Sequence, residues 1–272
     1  MVDDAIKKDA AAVQYDAYYY AHDCGRPYQR DETWLNFFAK VSKYIEADLS
    51  PQTVLDAGCA MGFLVEKLRE RGIEAYGLDI SEYAIQQVHA SVRPFCQVGS
   101  VTQPFPQRYD LIVSIEVLEH LSPLQAREAI TNFCQHTEQI LFSSTPLDYR
   151  EATHFNVQPP EYWAELFARQ GFIRDVDYDA SFLTPWAGLF RRVDVEIPAL
   201  VRDFERRWWR LQQENSELRA ALIEDRASAK DWEQEQAALR AEIQRLETQI
   251  TGFRNGRLMR LLLGLQNWRR KL

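Results

Sequence analysis

From Thr53 to about Glu196 the chain alternates short apolar runs with amphipathic stretches. Thr53–Asp56, Ala75–Asp79, Phe95–Val98, Tyr109–Ile115 and Gln139–Ser143 have the length and composition of buried strands. Between them, Phe63–Arg71, Ser81–Val92 and Pro123–His136 space their apolar residues three and four apart, which predicts helices. A further helix is expected over Pro159–Gln170, with prolines at its start and Gly171 just beyond its end. Two last strands follow near Phe172–Asp179 and Leu189–Glu196. Apolar strands alternating with helices predict a parallel sheet covered on both faces, since each crossover lays a helix against it. The expected fold class is α/β: a doubly wound, seven-stranded, mostly parallel sheet over residues 51–200. Residues 1–50, rich in tyrosine and broken by Cys24-Gly25-Arg26-Pro27, read as a helical cap.

After Pro198 the texture changes. Glycine and proline vanish until Gly252. Alternating steps of four and three from Phe204 reach Trp208, Leu211, Asn215, Leu218, Leu222, Asp225, Ala229, Trp232, Gln236, Leu239, Ile243, Leu246, Ile250 and Phe253. Only Asn215, Asp225 and Gln236 break that apolar stripe, and isolated polar residues suit a paired seam. The stretch 201–253 is therefore expected to be a parallel, dimeric coiled coil. The alternative is a long helix folded back on the domain.

Charge divides the chain in the same way. Residues 1–200 hold 17 Lys and Arg against 29 Asp and Glu; 201–250 hold 9 against 11; 251–272 hold 6 against none. An acidic body is a poor surface for long nucleic acid, whose binding rests on neutralising phosphates. The tail 254–272 combines its positive charge with Leu, Met and Trp, a composition suited to an anionic lipid surface or to a protein partner. No apolar run is long enough for a membrane span, and MVDDAIKKDAAAV lacks the apolar core of a secretory signal. The four cysteines are scattered singly, so reduced thiols are expected. The expected location is cytoplasmic, at most peripheral at the inner face of the membrane.

The chemistry concentrates in Val54-Leu55-Asp56-Ala57-Gly58-Cys59-Ala60-Met61-Gly62-Phe63. A strand ends in an acid, turns through glycines and opens a helix. Glycines at such a turn let a ligand approach the backbone at the carboxyl edge of the sheet. Asp79 ends the next strand, where a carboxylate can accept hydrogen bonds from both ribose hydroxyls. A phosphate-binding G-x-x-x-x-G-K-[ST] loop is missing, which disfavours a P-loop nucleotidase. A nicotinamide enzyme is the alternative, although Ala60 and Phe63 break the G-x-G-x-x-G spacing.

These motifs resemble those of the class I S-adenosylmethionine-dependent methyltransferases, over roughly residues 50–196. DAGCAMG is similar to the family's glycine-rich first motif and implies cofactor contacts from Asp56, Gly58, Cys59, Ala60 and Gly62, with Ala60 where glycine is common. YGLDIS implies Asp79 and Ile80. VGSVTQPFP implies Ser100 and Val101 beside the adenine, with Ser100 in place of the usual aspartate. YDLIVSIEVLEHL implies Ser114 and Ile115. The implied fold is Rossmann-like and the implied cofactor is S-adenosylmethionine.

Methyl transfer to a hydroxyl needs the acceptor aligned, water excluded and a proton removed. His120 and His154 follow the fourth and fifth strands on the cofactor edge and are the candidate catalytic residues; His22, His89 and His136 fall on the cap or on helices. Glu116, Glu119 and His120 form E-x-x-E-H, also found in small-RNA 2′-O-methyltransferases and ubiquinone-biosynthesis O-methyltransferases. In the RNA enzymes that group holds magnesium with a further histidine, which implies Glu116, Glu119, His120 and His154 as possible Mg²⁺ ligands. Helix capping or pairing with arginine is the alternative. The segment Thr153–Trp186 and the N-terminal YYYAHDCGRPYQRDETWLNFF resemble methyltransferases associated with bacterial glycosyltransferases. That implies O-methylation of a saccharide in surface-glycan assembly, and a glycosyltransferase as one candidate partner for the tail. An amino-sugar N-methyltransferase, an O-methyltransferase for a small aromatic or quinone hydroxyl, and a coiled-coil scaffold that merely binds cofactor remain alternatives. Trp163 and Trp186 could stack on sugar rings or sit in the core. Tyr28 and Arg30 are candidates to close over the cofactor carboxylate.

Overall fold

A computed structural model describes residues 15–255, which fall into two compact units divided between Asp203 and Phe204. In the first unit, β1 (Thr53–Ala57), β2 (Glu74–Asp79), β3 (Cys96–Val98), β4 (Leu111–Ile115), β5 (Gln139–Ser143), β6 (Phe172–Arg174) and β7 (Gly188–Arg192) form one sheet, in the order β3-β2-β1-β4-β5-β7-β6. β1 to β5 pair in parallel, and β7 runs antiparallel to both β5 and β6. The order reverses between β1 and β4. In an open α/β sheet that reversal leaves a crevice beyond the strand ends, because the loops on either side turn to opposite faces.

The strands alternate sides strictly, and each side has its own core. Val54, Val113, Leu141 and Leu189 point to one face, against α3 (Phe63–Arg69) and α2 (Glu32–Tyr44), burying Leu64, Leu68, Phe38 and Val41. Leu55, Ala57, Ile112, Ile140 and Phe142 point to the other, under Ala126, Ile130 and Phe133 of α5 (Pro123–His136) and Trp163 and Phe167 of α6 (Pro160–Ala168). Trp163 is thus a core residue, packed edge-on to Phe142. Local chemistry sets the helix starts. Asp16 caps α1 (Ala17–His22), Asp31 caps α2, Ser81 caps α4 (Glu82–Gln87), and Ser122 with Gln125 forms a capping box on α5.

Several expected elements are shorter, α4, β6 and β7 the most; β7 ends at Arg192 rather than Glu196. α4 stops at Gln87 rather than Val92, because Arg93 folds back and donates to the carbonyls of Gln86 and Val88. β6 stops at Arg174 rather than Asp179, where Asp175 and Asp179 accept N–H bonds two residues ahead and bend the chain into turns. The final helix, α7 (Ile197–Asn255), is continuous. Residues 256–272, and with them most of the basic tail, lie outside the described residues, as do residues 1–14 of the cap. Among the described residues no helix is long and apolar enough to cross a membrane.

Candidate active site

The loop after β1 is built around Gly58. Its φ is +96°, and a Cβ there would stand 2.3 Å from a methyl of Val117, so only glycine fits. The N–H groups of Gly58 and Cys59 both donate to the Leu78 carbonyl, at 2.7 and 3.0 Å, tying the turn to the end of β2. Ala60 has φ +45°, a left-handed conformation that costs an L-residue about 1 kcal/mol. Its N–H is held there by the Asp79 carboxylate at 2.8 Å. The other oxygen of Asp79 accepts from Ser81 N–H, also at 2.8 Å. Ser81 in turn donates from its hydroxyl to the Tyr15 carbonyl, which fastens the entry to α1 over the same edge.

A cavity of about 990 Å³ opens at this edge, beyond the ends of β1 and β4. Single-ligand pockets run to about 300–1,000 Å³, so the space is at the upper end of that range. Asp56, Gly58, Cys59, Ala60, Asp79, Ile80, Ser100, Val101 and Ile115 line it. Gly62 and Ser114, also expected at the cofactor, do not. Gly62 caps α3 at φ +71°, with Cys96 and Val88 filling the space where a side chain would stand. Ser114 is completely buried within β4. Ser100 turns its hydroxyl toward Thr102, at 2.8 Å. Burial, then the charge of Asp79, pushes the Asp56 carboxyl up to about 8; burial also raises Asp79, against the two N–H bonds that favour its charge.

Arg30 is engaged elsewhere. Its guanidinium pairs with both oxygens of Glu66 and is absent from the cavity lining. Tyr28 does line the cavity, stacked on Phe63 with ring centroids 5.1 Å apart.

The same cavity is lined by His120, from the short turn Leu118–His120 after β4, and by Glu151 and His154, from the loop after β5. The two imidazoles lie 4.6 Å apart between centroids. His154 Nε2 meets Glu151 Oε2 at 2.9 Å, and its Nδ1 meets the Asp148 carbonyl at 2.8 Å. Both partners are acceptors, so both ring nitrogens donate. Burial opposes that charge, but the two bonds overcome it and lift His154 to about 9. His154 is an imidazolium at neutral pH.

His120 is the converse. Its Nδ1 lies 2.9 Å from the Thr153 hydroxyl, whose proton goes to Glu151. With that proton committed, the Thr153 oxygen accepts, so Nδ1 of His120 carries the ring proton and Nε2 keeps its lone pair. Burial holds His120 down at about 4; the Glu151 charge works upward and the His154 charge downward. Tyr15 and Tyr19 cover the ring edge-on, at 5.8 and 6.2 Å between centroids. Burial also raises both tyrosines far above their ordinary range. Glu119, behind His120, is fully buried, and burial with the nearby Glu116 charge raises it well above the carboxylate range.

Ligand atoms of Glu119, His120 and His154 lie within 4.8 Å of one another. Glu116 does not join them. Its backbone is left-handed, at φ +52°, and its carboxylate accepts from the Trp186 indole N–H at 2.9 Å. Two imidazoles and a single carboxyl also fit magnesium poorly, since that ion prefers an oxygen shell with several waters. Glu151, Thr153, Tyr15 and Tyr19 were not singled out from sequence as site residues. The clue was local: Glu151 and Thr153 share one short loop with His154.

A family model described as a methyltransferase domain matches residues 28–173. A ubiquinone biosynthesis O-methyltransferase of Coxiella burnetii is 35% identical over 170 residues, 56% of this chain and 70% of that protein. Among solved structures, magnesium protoporphyrin IX methyltransferase from Synechocystis PCC 6803 is 18% identical, with a TM-score of 0.48 over 58% of this chain and 79% of that one. An amino pentose methyltransferase from Micromonospora echinaspora is 16% identical, with a TM-score of 0.47 over 60% of this chain and 93% of that one. The family match spans more than half of the chain, on a domain whose glycine turn and strand-end carboxylates line one cavity. The chain therefore belongs to the methyltransferase-domain family and is an S-adenosylmethionine-dependent methyltransferase.

Proposed function

We propose that the enzyme transfers the methyl group of S-adenosylmethionine to a hydroxyl of a saccharide acceptor, with His120 as the general base. One observation carries the transfer to oxygen: the hydrogen-bond chain Glu151–Thr153–His120, which leaves an unprotonated imidazole nitrogen in the cavity that holds Asp79. A hydroxyl must lose its proton as the methyl arrives, and a neutral imidazole aimed by a carboxylate is suited to take it. The new positive charge on His120 then lies near Glu151, whose Oε1 is 4.0 Å from Nδ1. His154 acts as a positioning residue: its charge holds Glu151 ionised, and the Asp148 carbonyl holds its ring.

Several features favour a saccharide. Hydrogen-bonding side chains crowd the acceptor end, with Glu116, Asp148, Arg150 and Glu151 beside the two histidines. Tyr15, Tyr19 and Trp186 supply faces on which the C–H surface of a sugar ring packs. A second reading, a phenolic hydroxyl of a quinone precursor, is favoured by the ubiquinone biosynthesis relatives. Labelled cofactor, offered with a panel of saccharides, amino sugars and catechols, decides between them. Label entering a sugar in an alkali-stable ether supports the first reading; transfer to catechols alone supports the second. Cofactor binding with no transfer to any acceptor would favour a scaffold role.

Because magnesium fits the Glu119–His120–His154 group poorly, we expect full turnover in excess chelator. Loss of activity that added divalent ion restores would make these residues ligands and remove His120 from the role of base.

A further inference from the structure

We infer that α7 is one strand of a parallel, in-register, two-stranded coiled coil whose other strand is a second copy of this chain. α7 is 59 residues long, about 88 Å at 1.5 Å per residue. Along it, the three–four spacing puts Trp208, Asn215, Leu222, Ala229, Gln236, Ile243 and Ile250 at one seam position, conventionally a. Phe204, Leu211, Leu218, Asp225, Trp232, Leu239, Leu246 and Phe253 stand at the other, d. The seam is open in the single chain: Trp208 is 61% exposed, Leu218 66%, Trp232 66% and Leu239 59%. An apolar stripe sustained for seven heptads needs a cover of equal length and matching period, and the helix itself has both.

Seam chemistry selects a parallel copy. Leu at d with Ile at a, as in the layers from Leu239 to Ile250, is the combination that favours two parallel strands. In register, Asn215 meets Asn215 and Gln236 meets Gln236, so each side-chain amide finds its complement instead of a leucine. The flanking charges agree. Glu214 falls opposite Arg219 of the second copy, and Glu235 opposite Arg240, each twice by symmetry. Glu242 would face Glu247, but Arg245 already pairs with Glu242 on its own helix, at 2.7 and 2.8 Å. The weak layer is Asp225, where two carboxylates meet.

Sedimentation equilibrium of the full-length chain should give twice its 31.8 kDa mass. The double variant Leu218→Asp/Leu239→Asp should be monomeric, with cofactor affinity unchanged as proof that the methyltransferase domain is folded. Asp225→Leu should tighten the dimer at least tenfold. Leu218→Cys, oxidised, should form an interchain disulfide, because equivalent d positions touch only in a parallel, in-register pair. A monomer at high concentration, a dimer that survives the double variant, or a dimer that Leu218→Cys fails to cross-link would each overturn the inference.

Discussion

Replacing His120 with alanine should lower kcat by roughly 10²–10⁴-fold, the usual contribution of a general base, while cofactor affinity stays within about twofold. The separation of the two effects matters, because His120 and Asp79 line one cavity and are assigned different tasks in it. The pH profile supplies a second readout. An ordinary imidazole gives an inflection near 6.5, but burial holds His120 at about 4. The base must be neutral, so activity is lost only as pH falls through about 4. His154 must stay charged to keep Glu151 in place, so activity is lost again as pH rises through about 9. The groups facing His120 across the site, Tyr15 and Tyr19, are raised far above that window, and burial with the Glu116 charge raises Glu119 as well. With cofactor saturating, a level kcat between these limbs is therefore expected, and Thr153→Val should disturb it by releasing the tautomer of His120. Retention of more than a tenth of kcat in His120→Ala would show that the hydroxyl loses its proton elsewhere.

Asp79→Ala should weaken S-adenosylmethionine binding by at least about tenfold, measured calorimetrically on protein whose circular dichroism is unchanged. Charge-assisted bonds to two ribose hydroxyls are worth roughly 1.5–3 kcal/mol each, although the two Asp79 bonds to Ala60 and Ser81 take part of its accepting capacity. Because Asp79 also holds Ala60 in its left-handed conformation, alanine loosens the loop as well as the ribose. Asp79→Asn separates these effects, since an amide oxygen still accepts one loop N–H while the negative charge is gone. An intermediate affinity is expected for that variant. Unchanged dissociation constants in both would place the ribose somewhere other than the end of β2.

What could be read from sequence was set by neighbours along the chain. The glycine turn and the acid ending β2 each depend on a few consecutive residues, so their spacing is visible. The two histidines followed from strand order, since the ends of β4 and β5 share one edge of a parallel sheet. Their division of labour did not follow. It depends on a loop that brings Thr153 to His120 across 33 positions, and on whether each ring nitrogen meets a carbonyl, a carboxylate or a hydroxyl. Glu116 does stand beside Glu119, whose carboxyl its charge raises, but the two histidines do not share it: its own carboxylate accepts from the Trp186 indole, a contact across 70 positions that the local spacing does not show. Arg30 reads from sequence as a cation for the cofactor carboxylate, whereas it pairs with Glu66, a residue buried on α3 and absent from the cavity lining.

A cofactor whose cations lie beside Asp56 would be held through a proton-exchange equilibrium. With its carboxyl pushed up to about 8, the free protein carries a proton there at neutral pH. S-adenosylmethionine arrives with a sulfonium and an ammonium, and a cation beside Asp56 favours the ionised carboxylate, so binding expels the proton. Affinity then strengthens with rising pH and levels off above about 8, and the apparent heat of binding follows the ionisation enthalpy of the buffer. Methyl transfer turns the sulfonium into a neutral thioether and removes one of those charges. Asp56 regains part of its appetite for a proton at that moment, and its recapture from solvent loosens the spent cofactor just when it has to leave.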